Sequence, residues 1–250
     1  MCRLLAKVSA TPESSSYELL KAPHSFMRQS EYARTPRGFG GHSDGCGIAW
    51  LDSEGIHLEK RGHEDRWDGS FRGLAEEIKI SAYIAHNRAS SEGLLRTARQ
   101  SHPYLTRYHG QDVSFCHNGE VGALMPEAVK RGITDSELFM EHLLAKIDKL
   151  SAPRIAHYLS RATRAWPDAS MNAMVLTKDG VIAWRCYTPS PDVTFDQDRY
   201  FSLYVSEGRE RTVVASEPLD ESPLWQPVAN RTVLALRRVD GFVAIERVRF

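Results

Sequence analysis

Cysteine stands at position 2, directly after the initiator methionine. Cysteine is small enough to permit removal of Met1, and the chain would then begin with a thiol and a free α-amine on the same residue. An α-amine has a pKa of about 7.7–8.0, so a useful fraction is neutral near pH 7 and can take the thiol proton, directly or through one water. The thiolate would be the attacking form, and no catalytic histidine is required. The ordinary alternative is a small residue buried in a first strand, and position alone does not exclude it.

Three further groups bear on which bond such a thiolate would break. Glutamine presents an α-carboxylate, an α-ammonium and a γ-carboxamide, so a site for it needs a cation, an anion and donors aimed at the developing oxyanion. Arg88, within His86-Asn-Arg-Ala-Ser-Ser91, has the planar fork that matches a carboxylate; a surface ion pair is its common alternative. Asp135 could accept the α-ammonium, or serve only as a helix cap. Asn118-Gly119 could supply a carboxamide N–H and a backbone N–H to an oxyanion, the missing Cβ allowing close approach. The same pair also reads as an Asn-Gly turn at a strand end.

The elements that must position these groups follow from the apolar pattern. Residues 2–8 read as a buried strand closed by Ser9-Ala-Thr-Pro12, residues 14–29 as a helix, and 35–47 as a loop rich in Gly, Pro and Ser. Residues 47–51 and 56–60 flank Asp52-Ser-Glu-Gly55 as a hairpin, and 71–80 read as a helix. Strands over 82–86 and 113–116 end in the polar clusters that carry Arg88 and Asn118. A helix begins at Thr134 or Asp135 and a second spans 153–165. The last third is nearly all strand, at 171–177, 181–187, 201–206, 212–216, 233–238 and 242–248, with Asp179-Gly180 and Asp240-Gly241 as tight turns. Strands at both ends with helices between them predict an α+β, four-layer αββα sandwich of two antiparallel sheets, in a single domain over residues 1–250.

Composition narrows the partners. Lys+Arg and Asp+Glu each total 32 of 250 residues, so no long-range field draws nucleic acid or an anionic membrane, and neither is expected as a partner. Four scattered cysteines, without a CxxC pair or a leading targeting segment, fit a reducing cytoplasm. His86, His102, His109 and His117 with Cys116 match no zinc-ligand spacing, so neither metal nor other cofactor is expected.

The motifs Met-Cys-Arg-Leu-Leu5, Ser43-Asp-Gly-Cys-Gly-Ile-Ala-Trp50, His86-Asn-Arg-Ala-Ser90, Ser101-His-Pro-Tyr104, His117-Asn-Gly119 and Thr134-Asp-Ser-Glu137 occur in this order. With them the chain resembles class II glutamine amidotransferases, in particular the small stand-alone branch that includes the γ-glutamyl hydrolase of ergothioneine biosynthesis. The motifs span roughly residues 1 to 140, with a weaker echo in Ala215-Ser-Glu-Pro-Leu219. The resemblance implies an N-terminal-nucleophile fold with Cys2 as nucleophile and its amine as base. It places Arg88 at the substrate carboxylate, Asn118 and Gly119 in the oxyanion hole and Asp135 at the substrate amine. Ser91 stands where relatives often use threonine near the substrate, and His102 falls on a recurrent position that a purely structural imidazole would also explain. Cys46, where relatives often carry an aromatic residue, and Glu120, directly after Asn-Gly, depart from the pattern and bear on the substrate side group.

The implied activity is hydrolysis of the γ-amide of glutamine through a γ-glutamyl thioester, releasing ammonia. Because the motifs are followed only by strands that complete the sandwich, either a separate synthetase-type partner uses that ammonia or the substrate is another γ-glutamyl small molecule. A non-catalytic binding subunit on the same fold is the third reading.

Overall fold

The computed structural model describes residues 2–32, 41–90, 95–190 and 194–250. Its strands are β1 (Arg3–Ser14), β2 (Gly45–Leu51), β3 (Ile56–Gly62), β4 (Lys79–Asn87), β5 (Tyr104–Tyr108), β6 (Gln111–Glu120), β7 (Ser170–Thr177), β8 (Gly180–Arg185), β9 (Tyr204–Ser206), β10 (Arg211–Ala215), β11 (Trp225–Pro227), β12 (Thr232–Val239) and β13 (Phe242–Arg249). The α-helices are α1 (Phe26–Gln29), α2 (Gly69–Glu77), α3 (Met125–Arg131), α4 (Asp135–Lys146), α5 (Ala152–Ala165) and α6 (Gln197–Tyr200).

Among the described residues, one sheet runs β11-β9-β10-β1-β4-β2-β3 and the other β13-β12-β8-β7-β6-β5, with every pairing antiparallel. The core lies in three layers, which explains why so many strands are continuous apolar runs. In β1, Leu4, Ala6 and Val8 face the second sheet, while Leu5 faces the outer layer with Leu19, Phe26 and Phe71. In β7, Met174 and Leu176 face the first sheet while Ala173 and Val175 pack under Phe139 of α4 and Leu159 of α5. Strand side chains alternate between faces, so a strand apolar at successive positions must be covered on both. The result is the predicted αββα sandwich, and it puts the start of β1 and the ends of β4 and β6 in reach of one another.

Several boundaries differ from the sequence expectation for identifiable reasons. The expected helix over 14–29 is a π-helical turn, Tyr17–Lys21, followed by α1, with Pro23 between them. Ala22, before that proline, is extended at φ −54° and ψ 148°, as the proline ring demands. Strand β1 continues past Thr11-Pro12 because a register shift between Val8 and Glu13 absorbs the interruption. Strand β6 does not stop at Cys116 but carries His117 and Asn118 inward, almost wholly buried. Strands β5 and β11 and helices α3 and α6 are additions that the periodicity did not reveal. No described helix is long and apolar enough to cross a membrane.

Candidate active site

Cys2 precedes β1, whose first paired residue, Arg3, stands opposite Asn87 at the end of β4. Three of its atoms are held by other residues. Its nitrogen donates to Asn118 Oδ1 at 2.9 Å, its carbonyl accepts from Arg3 Nη1 at 3.0 Å, and its Sγ lies 3.8 Å from the Ala89 carbonyl oxygen. Residue 2 as a whole is half-buried, yet desolvation of the thiol raises its pKa; the Ala89 hydrogen bond and the charges of Arg88 and Arg3 oppose that rise. A thiol held protonated in this way needs a base close by to release it.

Asn118 connects the two sheets at this point. Its Oδ1 serves Cys2, while its Nδ2 is buried and has no hydrogen-bond partner among the described residues. A buried amide donor without a partner carries a desolvation cost that an incoming oxygen would relieve. Gly119 follows in the same strand, and a Cβ there would lie 1.9 Å from the Ser170 carbonyl oxygen, so no larger residue fits without moving β7.

Three imidazoles fix this end of β6. His117 Nε2 faces the Ser170 carbonyl at 2.9 Å and therefore carries the proton, leaving Nδ1 to accept from the Ser136 hydroxyl at 2.8 Å. The His117 N–H donates to His102 Nδ1 at 3.2 Å, and His86 Nε2 donates to the His117 carbonyl at 3.2 Å. Rings 86 and 102 lie tilted by 40° to one another with centroids 4.2 Å apart. Burial lowers the pKa of all three, so each is neutral at pH 7. His102 thus grips the peptide that joins His117 to Cys116.

Arg88 is 4% exposed, follows β4 directly, and donates from Nη1 to the Leu95 carbonyl at 2.6 Å. It makes no ion pair with a described carboxylate. Its own carbonyl accepts from Asp44 N, and Asp44 Oδ2 accepts from both N and Oγ of Ser90, tying the segment after β4 to the one before β2. Ser91 lies outside the described residues. Asp135 is the first residue of α4, but the cap is Thr134, whose side chain accepts from Glu137 N. The Asp135 carboxylate is thereby released from capping; Oδ2 accepts from Val121 N at 2.9 Å, and Oδ1 bonds to no described residue. Cys46 faces the helix-covered outer core, its thiol pushed up to about 12 by burial, and Glu120 is exposed at the end of β6.

One buried cluster behind Cys2 escaped the sequence reading. Arg3 Nε meets Glu217 Oε1 at 2.5 Å, and Glu217 Oε2 meets His24 Nε2 at 2.7 Å. Its signal was the echo at 215–219, which sits far from every other motif in the chain.

Comparison with known proteins converges on one family. The description "glutamine amidotransferases class-II" matches residues 1–178. The chain is 25% identical over 241 residues to the γ-glutamyl-hercynylcysteine sulfoxide hydrolase of Mycolicibacterium smegmatis, covering 95% of this chain and 96% of that one. Among solved structures it is similar to a glutamine aminotransferase class-II domain protein from Silicibacter pomeroyi, with TM-score 0.63, 19% identity and full coverage of both chains. It is also similar to the glutamine phosphoribosylpyrophosphate amidotransferase of B. subtilis, with TM-score 0.62 and 16% identity, over 98% of this chain but 49% of that one. Family match, sandwich and catalytic-type groups agree: the chain belongs to the class II glutamine amidotransferases and is an enzyme of the amidohydrolase type.

Proposed function

We propose that the chain, once Met1 is removed, hydrolyses γ-glutamyl amides through a thioester on Cys2. The observation that carries this reading is the divided carboxamide of Asn118, with one end on the nitrogen of residue 2 and the other a buried donor without a partner among the described residues. The free amine would keep one N–H on Asn118 Oδ1 while its lone pair takes the thiol proton. The thiolate attacks the γ-carbonyl, and the oxyanion accepts from Asn118 Nδ2 and Gly119 N–H. The tetrahedral adduct collapses as the ammonium returns its proton to the departing nitrogen, leaving a γ-glutamyl thioester and a free amine. Water, deprotonated by the same amine, then cleaves the thioester to glutamate and restores the thiol. Arg88 holds the α-carboxylate and Asp135 the α-ammonium, so the γ-glutamyl group is recognised at its far end from the scissile bond.

Glutamine itself fits this scheme, with ammonia as the product. An end-to-end relative that is a hydrolase of a γ-glutamyl derivative favours a larger γ-glutamyl amide and simple hydrolysis as the complete reaction. The alternative is delivery of ammonia to a separate synthetase-type protein. Incubating the Met1-free chain with a panel of γ-glutamyl compounds and reading products by mass spectrometry separates them. The hydrolase reading expects turnover of at least one compound by the chain alone; release only with a second protein present would overturn it.

A further inference from the structure

We propose that Glu217 is a positioning residue for the nucleophile, acting through Arg3 on the backbone of residue 2; this rests on the role proposed above for Cys2. A residue at the end of a chain frays unless something ties it down, and this one would have to hold its sulfur and nitrogen in register with Asn118. Arg3 supplies the tie. Its guanidinium, in a residue only 2% exposed, turns back to donate from Nη1 to the Cys2 carbonyl at 3.0 Å while its Nε sits on Glu217 Oε1 at 2.5 Å. Glu217 is in turn fixed by His24 at 2.7 Å.

The neighbouring backbone makes the same connection. Ser216 N donates to the Leu4 carbonyl at 2.9 Å and Ser216 Oγ accepts from Leu4 N at 3.0 Å, while Ser202 Oγ holds the Ser216 carbonyl at 2.8 Å. His24 N donates to the Leu219 carbonyl at 2.8 Å. The segment 216–219 is therefore stitched to residues 3–4 and to residue 24. A buried ion pair is a poor source of stability, since apolar residues of the same volume often do as well. What an apolar pair could not do is hold a guanidinium rigid against the Cys2 carbonyl. The assignment also accounts for a chemically specific segment at 215–219, beyond the residues 1–178 that the family description covers.

The test uses the Met1-free chain and the glutamine analogue 6-diazo-5-oxo-L-norleucine, whose diazoketone alkylates a nucleophilic thiol. Intact mass gives the labelled fraction and the time course gives the maximal alkylation rate and the half-saturating concentration separately. In Glu217→Gln and in Arg3→Lys the maximal rate per labelled site should fall between about tenfold and 10²-fold, the range expected for a misplaced reacting group, with little change in half-saturation. The double variant should be no slower than the slower single, because both act through one contact chain. A merely structural role predicts instead a lower melting temperature and a smaller labelled fraction at an unchanged rate per site, and that result overturns the proposal. Should Glu217→Gln not fold, Arg3→Lys decides the same question. A wild-type chain that takes no adduct on Cys2 would instead remove the proposed function itself.

Discussion

On the β1 side of the site, residue 2 is held by formal charges, a buried guanidinium and carboxylate meeting at 2.5 Å with His24 behind them. On the β6 side, Asn118 and Gly119 are held by neutral imidazoles that grip the peptide groups of His117 and the Ser170 carbonyl. The difference follows from what each side must present. A cation near the thiol favours the thiolate, and the Arg3 charge acts on the Cys2 thiol in that direction. Next to the proposed oxyanion donors, imidazoles kept neutral by burial can fix the backbone as donors, in His86 and His117, or as an acceptor, in His102, without a charge that would draw the Asn118 side chain away. Asn118 joins the two sides, with its side-chain oxygen on the nitrogen of residue 2 and its backbone in β6.

That comparison can be broken in stages. The largest effect should come from Cys2→Ala in a chain whose Met1 is removed: turnover of γ-glutamyl amides is abolished while the melting temperature stays near that of the parent, because only an Sγ contact of 3.8 Å is lost. Measurable turnover in that variant would detach the chemistry from the β1 side altogether.

Asn118 comes next and separates the two halves of its own carboxamide. Asn118→Ala should cost on the order of 10²–10³ in kcat if Nδ2 is an oxyanion donor. Asn118→Asp retains an acceptor for the nitrogen of residue 2 but loses the donor, and it should be about as slow as Asn118→Ala with KM less disturbed. If Asn118→Asp is instead nearly as fast as the parent, the carboxamide matters only as a tether for the N-terminus.

The smallest effect distinguishes the charged side from the neutral one by pH. Burial depresses the pKa of His86, His102 and His117 in the folded chain below the ordinary 6.5. Below that value the unfolded chain binds more protons, so the stability from keeping these rings neutral is complete above about pH 6.5 and declines as pH falls. Each ring contributes a slope of up to ~1.4 kcal/mol per pH unit. Melting temperatures from pH 8 to pH 5 should fall on the acid side, and His102→Gln should flatten that fall; equal slopes in parent and variant would contradict the neutral-imidazole account.

Much of this was legible in the sequence because it depends on local patterns. Continuous apolar runs in strands such as β7 and β12 declare themselves, and Thr134-Asp-Ser-Glu137 marks a helix start whichever of its residues turns out to be the cap. Thr134 rather than Asp135 caps α4, its hydroxyl accepting from Glu137 N at the Thr-x-x-Glu spacing of a capping box. The end of β6 was read four residues short, at Cys116 instead of Glu120, because His117 and Asn118 are polar; their burial depends on partners at 102, 136 and 170, which only the folded chain brings together. Glu217 was hidden for the same reason: its meaning lies in Arg3, 214 residues away.

The claim on which everything turns is that a Met1-free Cys2 forms the acyl bond. Mixing that chain with a γ-glutamyl substrate, quenching in acid and measuring intact and peptide masses tests it directly. The account predicts a transient gain equal to one γ-glutamyl group, confined to the peptide that begins with Cys2 and reversed by hydroxylamine. Turnover that proceeds at an undiminished rate in chains shown to retain Met1, or an acyl group found on another residue, would contradict it.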